Sequence, residues 1–126
     1  MIVVDTSVLI DALTGPKRSA PMLRMAIEKG ERLLLPSLVL YEWLRGPRLT
    51  SELEAQEALF PAKAAAPFGV AEAIVASRLY RAISRTRGRE IDIAIAAVAI
   101  SRDADLWTLN SGDFADIPGL RLYFSM

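Results

Sequence analysis

The sequence predicts an α/β fold, specifically a three-layer α/β/α sandwich with a central, mostly parallel sheet. Short apolar runs alternate along the chain with helical patterns, which is the arrangement of successive βαβ units. The apolar runs lack alternating polar positions, as expected of strands that are covered on both faces. The chain has 126 residues, of which 52% are hydrophobic, so we expect residues 1–126 to form one domain around a single core.

The first half of the chain predicts two strands and four helices. The strands are short runs of β-branched residues or leucine, and the helices carry apolar residues at helical spacing. Gly15-Pro16 and Gly46-Pro47 break the chain between successive helices. The predicted strands cover residues 2–4 and 33–35, and the predicted helices cover residues 8–13, 19–29, 38–45 and 50–59.

The second half predicts two long helices and two late strands. Residues 60–68 are ambiguous because they contain two prolines and an alanine run, and a short strand near Phe60 is one interpretation. A helix over residues 70–87 ends at Gly88, and the helix over residues 91–101 is almost entirely apolar. The predicted strands cover residues 106–108 and 120–123.

Composition excludes several classes of function. The 15 basic and 15 acidic side chains cancel, so any binding of nucleic acid must use a local patch. The absence of cysteine and histidine excludes thiol nucleophiles, Ser-His-Asp triads and metal sites with histidine or thiolate ligands. The amino terminus lacks a signal-peptide pattern, and the apolar runs at residues 33–41 and 93–100 are too short to span a membrane. We therefore expect a soluble, cytoplasmic protein.

Two carboxylates in the first half stand in unusual positions. Asp5 follows the first strand, where it would project into the crevice at the carboxyl edge of a parallel sheet. The alternative is a residue that caps the next helix. Glu42 lies in a helix that is apolar on nearly every side, and its ordinary partner would be Arg45 one turn later.

Two more carboxylates follow in the second half. Asp92 begins a helix with no polar face, where an ionised group needs a cation or several donors, although a first-turn Asp also complements the helix dipole. Asp113 follows the predicted strand at residues 106–108, in a Ser-Gly-Asp sequence that is also ordinary in turns. Four acids at strand ends and in apolar helices are more simply explained by one shared site than by four separate causes.

Converging carboxylates repel one another unless a cation lies between them. Ligation by oxygen alone suits the hard ions Mg²⁺ and Mn²⁺, which retain water and contact substrate phosphates. Such a site orients and acidifies a water molecule and neutralises charge at phosphorus without any histidine. The four acids therefore predict metal-dependent cleavage of phosphodiester bonds.

The chain resembles the PIN-domain family and, within it, the VapC-type toxin ribonucleases of bacterial and archaeal toxin–antitoxin pairs. The resemblance covers the whole chain and depends on the order of four motifs. They are Val4-Asp5-Thr6-Ser7-Val8-Leu9-Ile10, the helix of Glu42, Asp92-x-x-Ile95-Ala96-Ala97, and Thr108-x-Asn110-x-x-Asp113-Phe114 before Ile117-Pro118-Gly119-Leu120. It implies a parallel-sheet α/β/α fold, Mg²⁺- or Mn²⁺-dependent cleavage of single-stranded or loop RNA, a homodimer, and inhibition by an antitoxin partner.

The same resemblance assigns roles to individual residues. The acidic quartet that binds metal and carries catalysis corresponds to Asp5, Glu42, Asp92 and Asp113. The supporting polar positions correspond to Thr6, Ser7, Thr108 and Asn110. We expect Asp113, rather than Asp116, to supply the fourth carboxylate, because Asp116 precedes Ile117-Pro118 and an extended path away from the site. On this interpretation, Asp116→Asn should be nearly silent.

Arginine outnumbers lysine twelve to three, and four arginines flank the candidate site in sequence. Arg45 and Arg48 follow the helix of Glu42, and Arg87 and Arg89 precede the helix of Asp92. They are candidates for contacts with RNA phosphates, and solvated helix ends are the alternative.

Three other functions compete with a nuclease. A phosphoacceptor receiver domain would need a late lysine, whereas the last lysine is Lys63, and an aspartyl phosphatase would need an acid at the position of Ser7. A catalytically silent PIN fold that binds RNA or protein remains the main alternative.

The predicted helix at residues 38–45 also carries much apolar surface, which a homodimer or an antitoxin would cover. Its apolar residues are Leu38, Leu40, Tyr41, Trp43 and Leu44.

Overall fold

Three short parallel strands form the centre of the molecule. The computed structural model describes residues 1–124. Strand β1 (Ile2–Val4) lies between β2 (Leu33–Leu34) and β3 (Asp105–Trp107), and Val3 is in register with Leu34 on one side and Leu106 on the other. Single parallel bridges, Pro36 with Ala66 and Leu106 with Leu122, extend this arrangement at both edges.

Six α-helices surround the sheet within the described residues, in the order that the sequence predicts. Successive side chains of a strand point to opposite faces of its sheet, and all three residues of β1 are buried. Helices and loops therefore cover both faces, which confirms the predicted three-layer α/β/α architecture. The helices are α1 (Thr6–Leu13), α2 (Ala20–Glu28), α3 (Ser37–Arg45), α4 (Thr50–Leu59), α5 (Val70–Ala82) and α6 (Glu90–Ser101).

Helix α6 is the central helix of the core. It packs against α3, α5, β1 and β3, so it has neighbours on most of its circumference. Ile93 and all residues from Ile95 to Ala99 are buried. This position explains why its sequence has no polar face. Its polar residues Glu90 and Asp92 lie in the first turn. None of the helices in residues 1–124 combines the length and apolar character that crossing a bilayer would require.

Helix α5 ends five residues earlier than predicted, at Ala82 instead of residue 87. Ile83 has an extended backbone (ψ 137°) and a buried side chain that packs into the core. Burial of Ile83 thus takes the chain off the helical path. The residues that follow form a turn, in which the amide of Arg89 donates to the carbonyl of Thr86 at 2.9 Å.

The predicted strand near Phe60 is wrong. Phe60 caps the end of α4, where its buried ring and its hydrogen bonds with Gln56 hold it: its amide donates to the Gln56 carbonyl at 2.7 Å, and its carbonyl accepts from Gln56 Nε2 at 3.0 Å. A short 3₁₀ helix at Ala62–Ala64 follows, and the extended contact with the sheet comes later, at Ala66.

The late strands are shorter or shifted. The first begins at Asp105 and ends at Trp107, one residue earlier than predicted at each end. The second is reduced to the bridge at Leu122, because Gly119, at a φ of 81°, turns the chain just before it.

Candidate active site

Asp5 lies at the carboxyl edge of the sheet, between β1 and α1. Its amide donates to the carbonyl of Trp107 at 2.9 Å, and its own carbonyl accepts from the amides of Val8 and Leu9. Asp5 is therefore fixed by strand pairing on one side and by the first turn of α1 on the other. It is the N-cap residue of α1, yet its side chain makes no capping bond among the described residues.

The carboxylate of Asp5 is held by two hydroxyl groups instead. Its Oδ2 accepts from Ser7 Oγ at 2.8 Å and from Thr108 Oγ1 at 2.7 Å, and the residue as a whole is only 4% exposed. The two hydroxyls are themselves fixed, because Ser7 Oγ accepts from the amide of Leu109 and Thr108 Oγ1 accepts from the amide of Asn110, both at 3.0 Å. Residues from β1, α1 and the loop after β3 thus orient one carboxylate.

Glu42 reaches the same end of α1 from helix α3. Its Oε1 accepts a short hydrogen bond of 2.6 Å from Thr6 Oγ1, the side chain next to Asp5. The pair with Arg45 expected from the sequence also exists, but it is longer, at 3.4 Å, and more exposed. The contact with Thr6 therefore orients Glu42, while the pair with Arg45 contributes little.

Asp92 lies in the first turn of α6, and its pKa is raised in part by the other three acids. Burial and the negative charges of Asp5, Asp113 and Glu42 together raise the pKa of the Asp92 carboxyl to about 6, although the charge of Arg89 opposes the increase. Charges act on a pKa in this way only at short range. Four acids from four different elements are thus directed toward one region.

Asp113 and Asp116 differ in their partners. Asp113 is exposed in the short 3₁₀ helix at Ser111–Asp113, and its charge acts on Asp92. Asp116 forms a two-pronged ion pair with Arg89, at 2.6 Å from Nη2 to Oδ1 and 2.9 Å from Nη1 to Oδ2. This hydrogen bonding lowers the pKa of Asp116. Of the two, Asp113 is the acid whose charge acts on Asp92.

The four arginines selected from the sequence have different surroundings. Arg45 is exposed above the ring of Tyr41, and Arg87 is exposed in the turn before α6. The Arg48 guanidinium stacks 4.2 Å from the centre of the buried Trp43 ring and donates to the Pro47 carbonyl. Arg89 already forms an ion pair with Asp116 of the same chain. Arg45 and Arg87 are thus the more accessible to a phosphate.

The donor types at this site fit a hard divalent cation, because carboxylate and hydroxyl oxygens are the preferred ligands of Mg²⁺ and Mn²⁺. Within residues 1–124, however, no three acidic side chains stand close enough together to hold a metal ion. Asp5 and Glu42 are fixed by hydroxyl donors, whereas Asp113 is exposed. Closing a ligand set around an ion would therefore require side-chain movement, and Asp113 is the residue with room for it.

Known proteins resemble this chain in sequence and in fold. Ribonuclease VapC19 of Mycobacterium tuberculosis is 38% identical over 123 residues, which cover 96% of this chain and 98% of the relative. A DNA-bound VapBC structure from Salmonella typhimurium has a TM-score of 0.78 at 22% identity, covering 97% of this chain and 96% of the other. A toxin–antitoxin complex from Klebsiella pneumoniae has a TM-score of 0.73 at 21% identity and covers both chains completely.

The comparison with protein families covers nearly the whole chain as well. The family model described as the PIN domain matches residues 2–120, a span that contains all four acids and the three strands of the sheet. The chain therefore belongs to the PIN-domain family.

Proposed function

We propose that this protein is an endoribonuclease of the VapC type and the toxin of a type II toxin–antitoxin pair. The relative that covers nearly the full length of the chain is named a ribonuclease. Similar solved structures are VapBC and toxin–antitoxin complexes. These similarities support RNA as the substrate and favour a nuclease over the catalytically silent alternative.

The observation that carries the proposal is the grouping of four acids: hydroxyl groups hold the carboxylates of Asp5 and Glu42, and the charges of Asp5, Asp113 and Glu42 act, with burial, to raise the pKa of Asp92 to about 6. A fold gains no stability by directing four carboxylates at one another. Acids grouped at the carboxyl edge of a parallel sheet, one of them with a raised pKa, are typical of an active site.

The four acids would hold Mg²⁺ or Mn²⁺, which when bound supplies a polarised water and charge neutralisation for the scissile phosphate. Ser7 and Thr108 keep Asp5 in a fixed orientation, and Thr6 does the same for Glu42. Each hydroxyl donates to its carboxylate and so limits the directions in which the carboxylate oxygens can turn. Arg45 and Arg87, at the exposed rim, would contact neighbouring phosphates of a single-stranded RNA.

A cleavage assay with metal controls tests this function. Purified protein should cut single-stranded RNA in Mg²⁺ or Mn²⁺ and should stop cutting in excess chelator. Asp92→Asn should abolish cleavage, whereas Asp103→Asn, which changes an exposed acid paired with Arg121 at the opposite end of β3, should leave it intact. Cleavage that persists in chelator, or a parent protein that never cuts RNA while binding it, would contradict the proposal.

We also propose two protein partners and a compartment. An antitoxin that inhibits the enzyme is supported by the toxin–antitoxin complexes among the similar structures. A second copy of the chain, forming a homodimer, is supported by the exposed Tyr41 and Leu44 of α3. The cytoplasm is the compartment in which RNA, divalent cations and an antitoxin would all be present.

A further inference from the structure

We infer that Arg89 and Asp116 form a clamp that positions Asp113 opposite Asp92. The inference rests on the proposed function, because it assigns Arg89 and Asp116 a role in assembling the metal-binding carboxylates. The two residues are positioning residues, because the Asp116 carboxylate is occupied by Arg89 and the Arg89 guanidinium hydrogen-bonds to the backbone carbonyl of Asp113 and not to its carboxylate. Asp116 is held away in the ion pair, and Arg89 acts through the backbone of Asp113.

Arg89 links three segments of the chain with one guanidinium group. Its Nη1 donates to the carbonyl of Arg85 at 2.7 Å and to Asp116 Oδ2 at 2.9 Å. Its Nη2 donates to the carbonyl of Asp113 at 2.8 Å and to Asp116 Oδ1 at 2.6 Å. Arg89 is also the N-cap residue of α6 and precedes Asp92 by one turn. The clamp therefore ties the loop that carries Asp113 to the start of the helix that carries Asp92.

The loop needs such a connection at Asp113. Phe114 and Ile117 are buried and fix the loop on its later side, while Asn110, Ser111 and Gly112 before it are exposed. Asp113 stands at the boundary between the buried and exposed parts. The bond from Arg89 to its carbonyl is a long-range contact at that residue, beyond the local bond from its amide to the Asn110 carbonyl at 2.9 Å.

An isolated ion pair on a protein surface contributes little, and the Arg89 side chain is 20% exposed and that of Asp116 52%. This pair differs in its geometry. Two parallel bonds to one carboxylate orient the planar guanidinium, which then presents its remaining N–H groups to two backbone carbonyls. Lysine could not reproduce that arrangement. The role of Asp116 is thus to fix Arg89, and the role of Arg89 is to fix Asp113.

The chain contains a matched control. Arg121 forms a similar pair with Asp103 and Asp105 and also donates to the Asp103 carbonyl, at 2.8 to 2.9 Å, but it lies at the amino end of β3, away from the acids. Asp116→Asn and Asp103→Asn each remove one charge from a forked arginine contact. The two variants differ in location, because Arg89 contacts Asp113 whereas Arg121 contacts Asp103 and Asp105 instead.

Hydrogen exchange and metal titration test the clamp. In Asp116→Asn, the amides of Asp113 and Phe114 should exchange faster than in the parent protein, and calorimetry should show Mn²⁺ affinity weakened roughly tenfold. Asp103→Asn should match the parent in both measurements. In a background of Asp113→Asn, adding Asp116→Asn should cause no further loss of Mn²⁺ affinity, because the clamp acts through the carboxylate that is already absent.

The inference is overturned if Asp116→Asn leaves exchange at Asp113 unchanged, or if it weakens Mn²⁺ binding equally with and without the Asp113 carboxylate. It is also overturned if Asp103→Asn has the same effects. A parent protein that does not cut RNA would contradict the proposed function alone, since the exchange measurement requires neither metal nor RNA.

Discussion

The four acids of the candidate site differ in how their carboxylates are held. Asp5 and Glu42 each accept short hydrogen bonds from hydroxyl groups. Asp92 bears a cost of burial and of repulsion by the other acids, which together raise its pKa to about 6. A bound cation would offset that cost, so we expect the metal-free protein to be less stable than the metal-bound protein.

Removing the charge of Asp92 should therefore stabilise the metal-free protein while it abolishes activity. After discounting the pKa shift for solvent screening, we expect Asp92→Asn to raise the free energy of unfolding by about 1 kcal/mol and the Tm by about 4 °C. Thermal unfolding in chelator measures this change. A large loss of stability with full activity would instead identify Asp92 as a structural residue.

The same carboxyl should make stability depend on pH. Its pKa is raised from 3.8 to about 6 in the folded chain, so the folded state binds the proton more tightly than the unfolded state. The stabilisation is complete below about pH 4 and is lost as the pH rises through about 6. Urea unfolding in chelator should show the parent losing stability relative to Asp92→Asn over this range. A difference that does not vary with pH would contradict the assignment.

Asp113 should contribute less than Asp5 to metal binding. Asp5 is buried and held by two hydroxyls, whereas Asp113 is exposed, so the first presents a preorganised ligand and the second does not. We expect Asp5→Asn to abolish cleavage and Mn²⁺ binding, and Asp113→Asn to reduce both by about tenfold to 100-fold. Calorimetry and initial rates measure the two effects. Equal losses in both variants would rule out this ranking.

The acids could be selected from the sequence because a carboxylate is conspicuous in an apolar setting, as Asp92 is beside Ile91 and Ile93. Their hydroxyl partners could be named only through the family resemblance. The partner of Arg89 could not be predicted, because Asp116 is distant in sequence and no local pattern joins the two. Arg89 was instead assigned to RNA phosphates, and its engagement with Asp116 revises the expectation that Asp116→Asn is nearly silent.

Among the secondary structure elements, those with a local signal were predicted well. The observed bounds of β1 and of the apolar helix α6 match the predicted bounds closely, because both segments are almost wholly apolar and both are buried. The end of α5 and the contact at Ala66 were missed. Both depend on which side chains the rest of the fold buries, Ile83 in one case and Phe60 in the other.

The arginines at the ends of α3 and before α6 should affect substrate binding more than chemistry. Arg45 and Arg87 are exposed beside the elements that carry Glu42 and Asp92. We expect Arg45→Ala and Arg87→Ala each to raise KM for single-stranded RNA severalfold, with little change in kcat and a weaker dependence on salt. Arg78→Ala, on the exposed face of α5, is the control. An unchanged KM in both variants would exclude these contacts.

At the scale of the whole molecule, equal numbers of acidic and basic side chains give no long-range attraction for RNA. Association with a protein partner must likewise depend on a local surface. The apolar surface predicted for α3 is smaller than the sequence suggests. Trp43 is fully buried beneath Arg48, and Leu38 and Leu40 pack partly against the core, which leaves Tyr41 and Leu44 outside.

Tyr41 is 55% exposed and Leu44 52% exposed on the outer side of α3, three residues apart and therefore on one face of the helix. If the chain forms the proposed homodimer through this face, a charge at Leu44 would be buried without a partner. We expect the parent protein to be a dimer by light scattering at micromolar concentration and Leu44→Glu to be a monomer.

Ile27→Glu is the matched control, because Ile27 is 46% exposed on α2, outside this face. It should leave the dimer intact, and near-ultraviolet circular dichroism should show both variants folded. A monomeric parent would exclude the homodimer, and a dimer that survives Leu44→Glu would move the interface away from α3. In either case, the four acids at the sheet edge would still be complete within one chain, so RNA cleavage should persist in the monomer.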